Sequence, residues 1–239
     1  MDLALRYSAT SDVGRVRKNN QDSGFASDHL LVVADGMGGM AAGDLASRTA
    51  IESMTGLDVP IDNDNQMDAL HRALEAANGR IAEHVLADPE LQGMGTTLTA
   101  VIFSGTRAAM AHVGDSRAYL LRDSRLNQLT KDDTYVQMLV DQGLIKPEEA
   151  AGHPRRSVVT RVLQGEPVSP AYVIVEPEPG DRWLLCSDGL TAVVSNETIE
   201  QEMLAAADPK SCAERLVDLA LRGGGPDNVT VIVADLIAD

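Results

Sequence analysis

The stretch that most constrains the fold is Leu30 to Gly43. Five apolar residues, Leu30-Leu31-Val32-Val33-Ala34, stop at Asp35, and Gly36, Gly38 and Gly39 follow before a helical pattern begins. An apolar run of that length predicts a buried strand with a carboxylate held at its end. The glycines let the chain turn sharply and approach a ligand closely. A phosphate-binding loop of the P-loop type ends in Gly-Lys-Ser/Thr, and no lysine stands here. What the stretch offers is a carboxylate and a bare backbone carbonyl, which suits a hard cation.

Three further aspartates stand in the same context. Asp115 follows Gly114, Asp188 precedes Gly189, and Asp227 follows the turn Gly223-Gly224-Gly225-Pro226. Each alone reads as an ordinary turn. Four carboxylates at the mouths of strands repel one another when they converge, so they need cations between them. The chain has no Cys/His cluster, and all-oxygen ligation favours Mg²⁺ or Mn²⁺ over Zn²⁺. Two such ions roughly 3.5–4 Å apart lower the pKa of a bridging water and aim it at a phosphorus atom. The polar turn from Asp12 to Asp22 adds the most basic short stretch, with Arg15, Arg17 and Lys18. Arg17 is expected to hold an anion through its planar fork, and Asp22 to contact a metal or its water.

Charge excludes several function classes. The formal net charge of −16 argues against nucleic acid or anionic lipid as a partner. It also obliges a site for phosphorylated substrates to supply its own positive charge. Cys186 and Cys212 show no ligand or disulfide spacing, so a cytoplasmic location is expected. No signal peptide and no apolar run of transmembrane length is visible, so no membrane contact is expected within this chain. Aromatic residues make up 3% of the 239 residues, so Val, Leu, Ile, Met and Ala must fill the core.

Patterning predicts strands at Leu3–Ala9, Leu30–Ala34, Gly95–Ser104, Arg107–Val113, Ala118–Leu121, Tyr172–Val175, Arg182–Cys186 and Val229–Leu236. A short hairpin is expected around Ser23 to Asp28. Helices are predicted at Ala41–Met54, with Gly56 as its stop, and at Gln66–Ala87, whose stripe is Met67, Leu70, Leu74, Ala77, Ile81 and Val85. Two more are predicted at Glu197–Ala207, with Ile199, Met203 and Leu204 inward, and at Ser211–Arg222. The stretch 132–165 lacks a strict amphipathic pattern and reads as an insertion flanking a site. The whole of 1–239 reads as one domain carrying that insertion.

The chain resembles the type 2C, metal-dependent Ser/Thr protein phosphatases, especially bacterial members. The matching stretches are Arg17 to Asp22, Ala34 to Gly39, Gly93 to Thr97, Gly114 to Arg117, His153 to Arg161, Ser187 to Leu190 and Gly225 to Thr230. They occur in the family's order across nearly the whole length. The resemblance implies an α+β fold, a β-sandwich of two antiparallel sheets flanked by pairs of helices, with metals in a channel at one end. It implies that Asp35 bridges two divalent cations, Mn²⁺ or Mg²⁺. The Gly36 carbonyl then joins one of them, and Asp188 and Asp227 join the other. Asp115 with Asp188 would hold a weaker third ion. Arg17 would grip the substrate phosphate, Asp22 would contact metal-bound water, and the 132–165 insertion would be the family's flap.

The implied activity is hydrolysis of phosphoserine and phosphothreonine in proteins by a metal-bridging hydroxide, without a phosphoenzyme. Expected partners are phosphoprotein substrates, with Ser/Thr kinases and their targets, and a monomer is expected. Three positions depart from the family pattern. Gln21 stands where many members have an acid, Met37 where eukaryotic members have the histidine proposed as general acid, and Ala192 where an aspartate often follows the Asp188 position. Two other readings compete. An inactive relative acting as a phosphoprotein-binding regulator would have lost metal ligands. A phosphatase with an aspartyl nucleophile would need Asp-x-Asp, and Asp35-Gly36-Met37 lacks the second aspartate.

Overall fold

Successive residues of a strand point to opposite faces, and in the central strands here both faces are apolar. In β3 (Leu30–Met37), Leu30, Val32 and Ala34 pack on one side while Leu31 and Val33 pack on the other. Such a strand must be covered twice, and it is. The computed structural model describes residues 3–38 and 42–238. Gly39, Met40 and Ala41 of the glycine-rich turn, and Asp239, lie outside the described residues.

The remaining elements are β1 (Leu3–Asp12), β2 (Asp22–Ala26), α1 (Ala42–Met54), α2 (Gln66–Ala87), β4 (Gly95–Thr96), β5 (Leu98–Ser104), β6 (Arg107–Val113), β7 (Arg117–Arg122) and β8 (Arg125–Gln128). Then follow α3 (Tyr135–Asp141), α4 (Pro147–Ala150), β9 (Ala171–Val175), β10 (Arg182–Cys186), α5 (Asp188–Thr191), α6 (Asn196–Ala205), α7 (Pro209–Arg222) and β11 (Val229–Ala238). One sheet has the order β1-β11-β10-β7-β8, and the other β2-β3-β5-β6-β9 with β4 paired to β3. Every ladder is antiparallel. The expected α+β sandwich is therefore the observed one.

Three apolar clusters make four layers. Leu31, Val33, Val101, Trp183, Leu185 and Ile232 lie in the seam between the sheets. Helices α1 and α2 cover Leu30, Val32, Leu98 and Ile102, and α6 with α7 covers Leu184, Val229, Val231 and Val233. A fully buried side chain of this kind contributes about 1.5–3 kcal/mol relative to exposure, so the seam and both flanks are each substantial.

The differences from expectation are local. Strand β3 does not stop at Ala34. It runs on because Asp35 pairs with Asp22, and Gly36 and Met37 pair with Thr96 and Gly95. Strand β8 has no apolar alternation and is half-exposed, so no hydrophobic signal announces it. Its hairpin turns at Asp123 and Ser124, both at positive φ, without the usual glycine. Helix α1 ends at Met54 as expected, and the chain continues through a 3-10 turn at Thr55–Leu57 that contains Gly56. Met67 and Val85 of the α2 stripe are only partly buried. Leu204, expected inward, is exposed. Within 132–165, α3 and α4 are short, the bridge Thr134–Val159 closes the stretch on itself, and the bridge Thr96–Leu163 ties it to the sandwich. No helix among the described residues is long and apolar enough to cross a membrane.

Candidate metal centre

Residues 31, 33 and 35 share one face of β3, so Asp35 lies at the end of the seam between the sheets. Its ladder partner is Asp22. Like charges directly opposite one another are destabilising, yet both are built in firmly. The Asp35 N–H donates to Thr97 Oγ1 at 2.9 Å, and the Thr97 N–H donates to the Asp35 carbonyl at 2.9 Å. The Ser187 hydroxyl donates to Asp22 Oδ2 at 2.7 Å. Asp22 Oδ1 is buried with no hydrogen-bond partner.

The glycines beside these carboxylates are there for space. A Cβ on Gly36 would lie 2.0 Å from the Gly43 carbonyl oxygen and 2.6 Å from that of Gln21. A Cβ on Gly189, next to Asp188, would lie 1.9 Å from the Asn228 carbonyl oxygen. Bare backbone thus packs against bare backbone where three segments meet. Gly114 has φ +109°, which lets β6 turn into the corner that carries Asp115.

Asp227 and Arg17 come from opposite ends of the chain and meet at 2.6 Å. The join is made by Asn228. Its side-chain N–H groups donate to the carbonyls of Val13 at 2.9 Å and Asn19 at 3.0 Å, and its Oδ1 accepts from the Gln21 N–H at 2.8 Å. Asn228 therefore pins the 13–21 turn against the start of β11. Sequence patterning assigns it no role. An Asn with two donors and an acceptor beside Asp227 was the available signal, and it is a weak one. Thr97 and Ser116, linked at 2.9 Å, fall within stretches that carry the family resemblance but have no role assigned to them.

The electrostatics are those of crowded acids. Burial, then the charges of Asp22, Asp188, Asp115 and Asp227, push the Asp35 carboxyl well above the usual range. Burial pushes Asp22 up to about 6 and Asp115 up to about 7, and Asp188 adds to both. Asp188 is raised by burial and by Asp227, with Asp35 close enough to hydrogen-bond it. Asp35 therefore feels the charges of Asp22, Asp115, Asp188 and Asp227 together. These acids come from segments far apart in the chain.

This donor set fits divalent cations. It is all oxygen, and it carries an orphaned buried carboxylate oxygen on Asp22. Among the described residues the acids are not closed into a three-ligand cage. Asp227 is turned toward Arg17 and Asp22 toward Ser187. Met37 pairs with Gly95 and offers no proton. A cleft of about 300 Å³ runs beside the cluster, between Asp115, Asp188 and Ala192 on one side and Val136, Pro147 and Arg156 of the 132–165 stretch on the other.

Comparison with known proteins agrees with this geometry. Residues 15–219 match the protein phosphatase 2C family. The Ser/Thr protein phosphatase PstP of Mycobacterium tuberculosis is 53% identical over 235 residues, covering 98% of this chain. The chain spans 46% of that relative's length, about half of it. A crystal structure of the same Mycobacterium tuberculosis phosphatase superposes with a TM-score of 0.96 at 53% identity, covering 98% of this chain and 100% of that one. The catalytic domain of PstP in complex with two manganese ions superposes with a TM-score of 0.93 at 50% identity, covering 99% and 100%.

Proposed function

The chain belongs to the protein phosphatase 2C family, and from that premise we propose that it hydrolyses phosphoserine and phosphothreonine in proteins with two divalent cations, Mn²⁺ or Mg²⁺. The observation that carries this reading is the electrostatic contact of Asp35 with Asp22, Asp115, Asp188 and Asp227, with Arg17 at their rim. The relative solved with two manganese ions supports it.

In this reading Asp35, the Gly36 carbonyl, Asp188 and Asp227 hold the two ions, and Asp115 with Asp188 holds a weaker third. Bound there, the ions supply a water acidic enough to attack phosphorus and neutralise charge on the phosphoryl oxygens. Arg17, poised on Asp227, grips the phosphate with paired N–H groups. Asp22, with one carboxylate oxygen unpartnered, orients water by accepting a hydrogen bond. Asn228 keeps Arg17 and Asp22 in register with Asp227. The 132–165 stretch acts as the flap, since it walls the cleft that opens beside Asp115. Its catalytic machinery lies within one domain, 1–239.

The finer setting follows from the same reading. Both cysteines are free and buried, in keeping with a reducing cytoplasm, where the protein works as a monomer in signalling. Its partners are Ser/Thr kinases and the proteins they phosphorylate. The test is a panel of phosphoserine, phosphothreonine and phosphotyrosine peptides assayed with Mn²⁺, Mg²⁺ or EDTA. Metal-dependent release of phosphate from the first two is expected. Equal turnover in EDTA, or a covalent phosphoenzyme trapped by acid quench, would refute the proposal.

A further inference from the structure

Asp132 and Asp133 stand at the start of the 132–165 stretch, and together they grip both ends of the corner that carries Asp115. The Asp133 N–H donates to the Gly114 carbonyl at 2.7 Å, and the Gly114 N–H returns a bond to Asp133 Oδ2 at 3.0 Å. At the other end of the corner, Arg117 donates to Asp132 through Nε at 2.8 Å and Nη2 at 2.7 Å. Asp133 is 6% exposed. Its carbonyl accepts from the Thr160 N–H at 2.7 Å and from Thr160 Oγ1 at 2.9 Å, and its Oδ1 meets the Arg161 guanidinium. Thus one residue binds the corner and the returning leg of the insertion at once.

The corner needs holding. Asp115 is buried and is repelled by Asp188. The corner turns on a glycine at φ +109° and is held at Ser116 by Thr97, and at its two ends by Asp133 and Asp132. Buried carboxylates bonded to backbone N–H groups and to arginine are stiff attachments. We propose that Asp133, with Asp132, is a positioning residue that fixes Asp115 for the weaker cation position without binding a cation itself. The inference rests on the reading of Asp115 as a cation ligand given above.

The test is Mn²⁺ binding to the metal-free protein, followed by the electron paramagnetic resonance signal of the free ion. The wild type should bind two tight equivalents and a weaker third. Asp133→Ala should weaken the third about tenfold, the cost of one or two lost hydrogen bonds, and leave the tight pair within twofold. Asp132→Ala, which frees Arg117, should do the same, so the result does not hang on one variant folding. Asp133→Asn keeps an acceptor for the Gly114 N–H and should restore most of the affinity. If Asp115→Asn leaves the third equivalent intact, or the wild type lacks one, the ligand reading fails. If Asp115→Asn removes it while both alanine variants leave it unchanged, or weaken all equivalents alike, the positioning role is overturned.

Discussion

Asp22 faces Asp35 across the β2–β3 ladder. In a strand pair this is the place for opposite charges or apolar contact, and the protein puts two acids there, Asp22 buried and Asp35 half-buried.

The cost should appear as a pH-dependent stability. Folding raises Asp22 to about 6 and Asp115 to about 7, while the unfolded chain has Asp near 3.9. Between about pH 4 and 7 the native state holds protons that the unfolded state has lost. Stability of the metal-free protein therefore falls as pH rises through that window. Thermal melts in EDTA should be higher at pH 5 than at pH 8, and Asp115→Asn should flatten the slope. With Mn²⁺, which binds the ionised acids, the gain in melting temperature should grow with pH. A wild-type slope in EDTA no steeper than that of Asp115→Asn would contradict this.

Asp35→Asn should separate stability from activity. Removing one charge from the cluster relieves repulsion, so the metal-free variant should melt at or above the wild-type temperature. Its Mn²⁺-dependent turnover should drop at least a hundredfold, since outer partners of metal ligands alone are worth about 10–100-fold. Melting curves in EDTA and steady-state rates check both halves.

Arg17→Lys keeps a positive charge at the rim but loses the planar fork. The specificity constant kcat/KM for a phosphopeptide should fall roughly tenfold or more. The Mn²⁺ concentration for half-maximal rate should stay within about threefold, because Arg17 is not read as a metal ligand. A large change in metal requirement with unchanged kcat/KM would reverse the assignment.

Gly189→Ala should cost about 3 kcal/mol or more in urea unfolding, because its Cβ would sit 1.9 Å from the Asn228 carbonyl oxygen. Gly56→Ala meets nothing within 4 Å and should change stability by less than about 1 kcal/mol, toward gain. Comparable losses in the two variants would mean that the backbone contact is not what Gly189 protects.

Local pattern carried much of this fold. The Gln66–Ala87 helix, the Arg107–Val113 and Arg182–Cys186 strands and the double-sided apolar runs were readable because period and burial are written residue by residue. So was the presence of three aspartates beside a glycine and a fourth, Asp227, just after a glycine-rich turn. Tertiary structure alone decided that Asp22 would stand opposite Asp35, that Asn228 would tie the first turn to the last strand, and that Asp133 would bond to Gly114. Those relations join segments up to 215 residues apart, as with Asn228 and Val13. They depend on strand register and on backbone packing against backbone at Gly36 and Gly189, and no periodicity along the chain encodes which distant residue will be the neighbour. Polar β8 marks the same boundary from the other side: it pairs with β7 and packs only Leu126 on the apolar cluster beneath it.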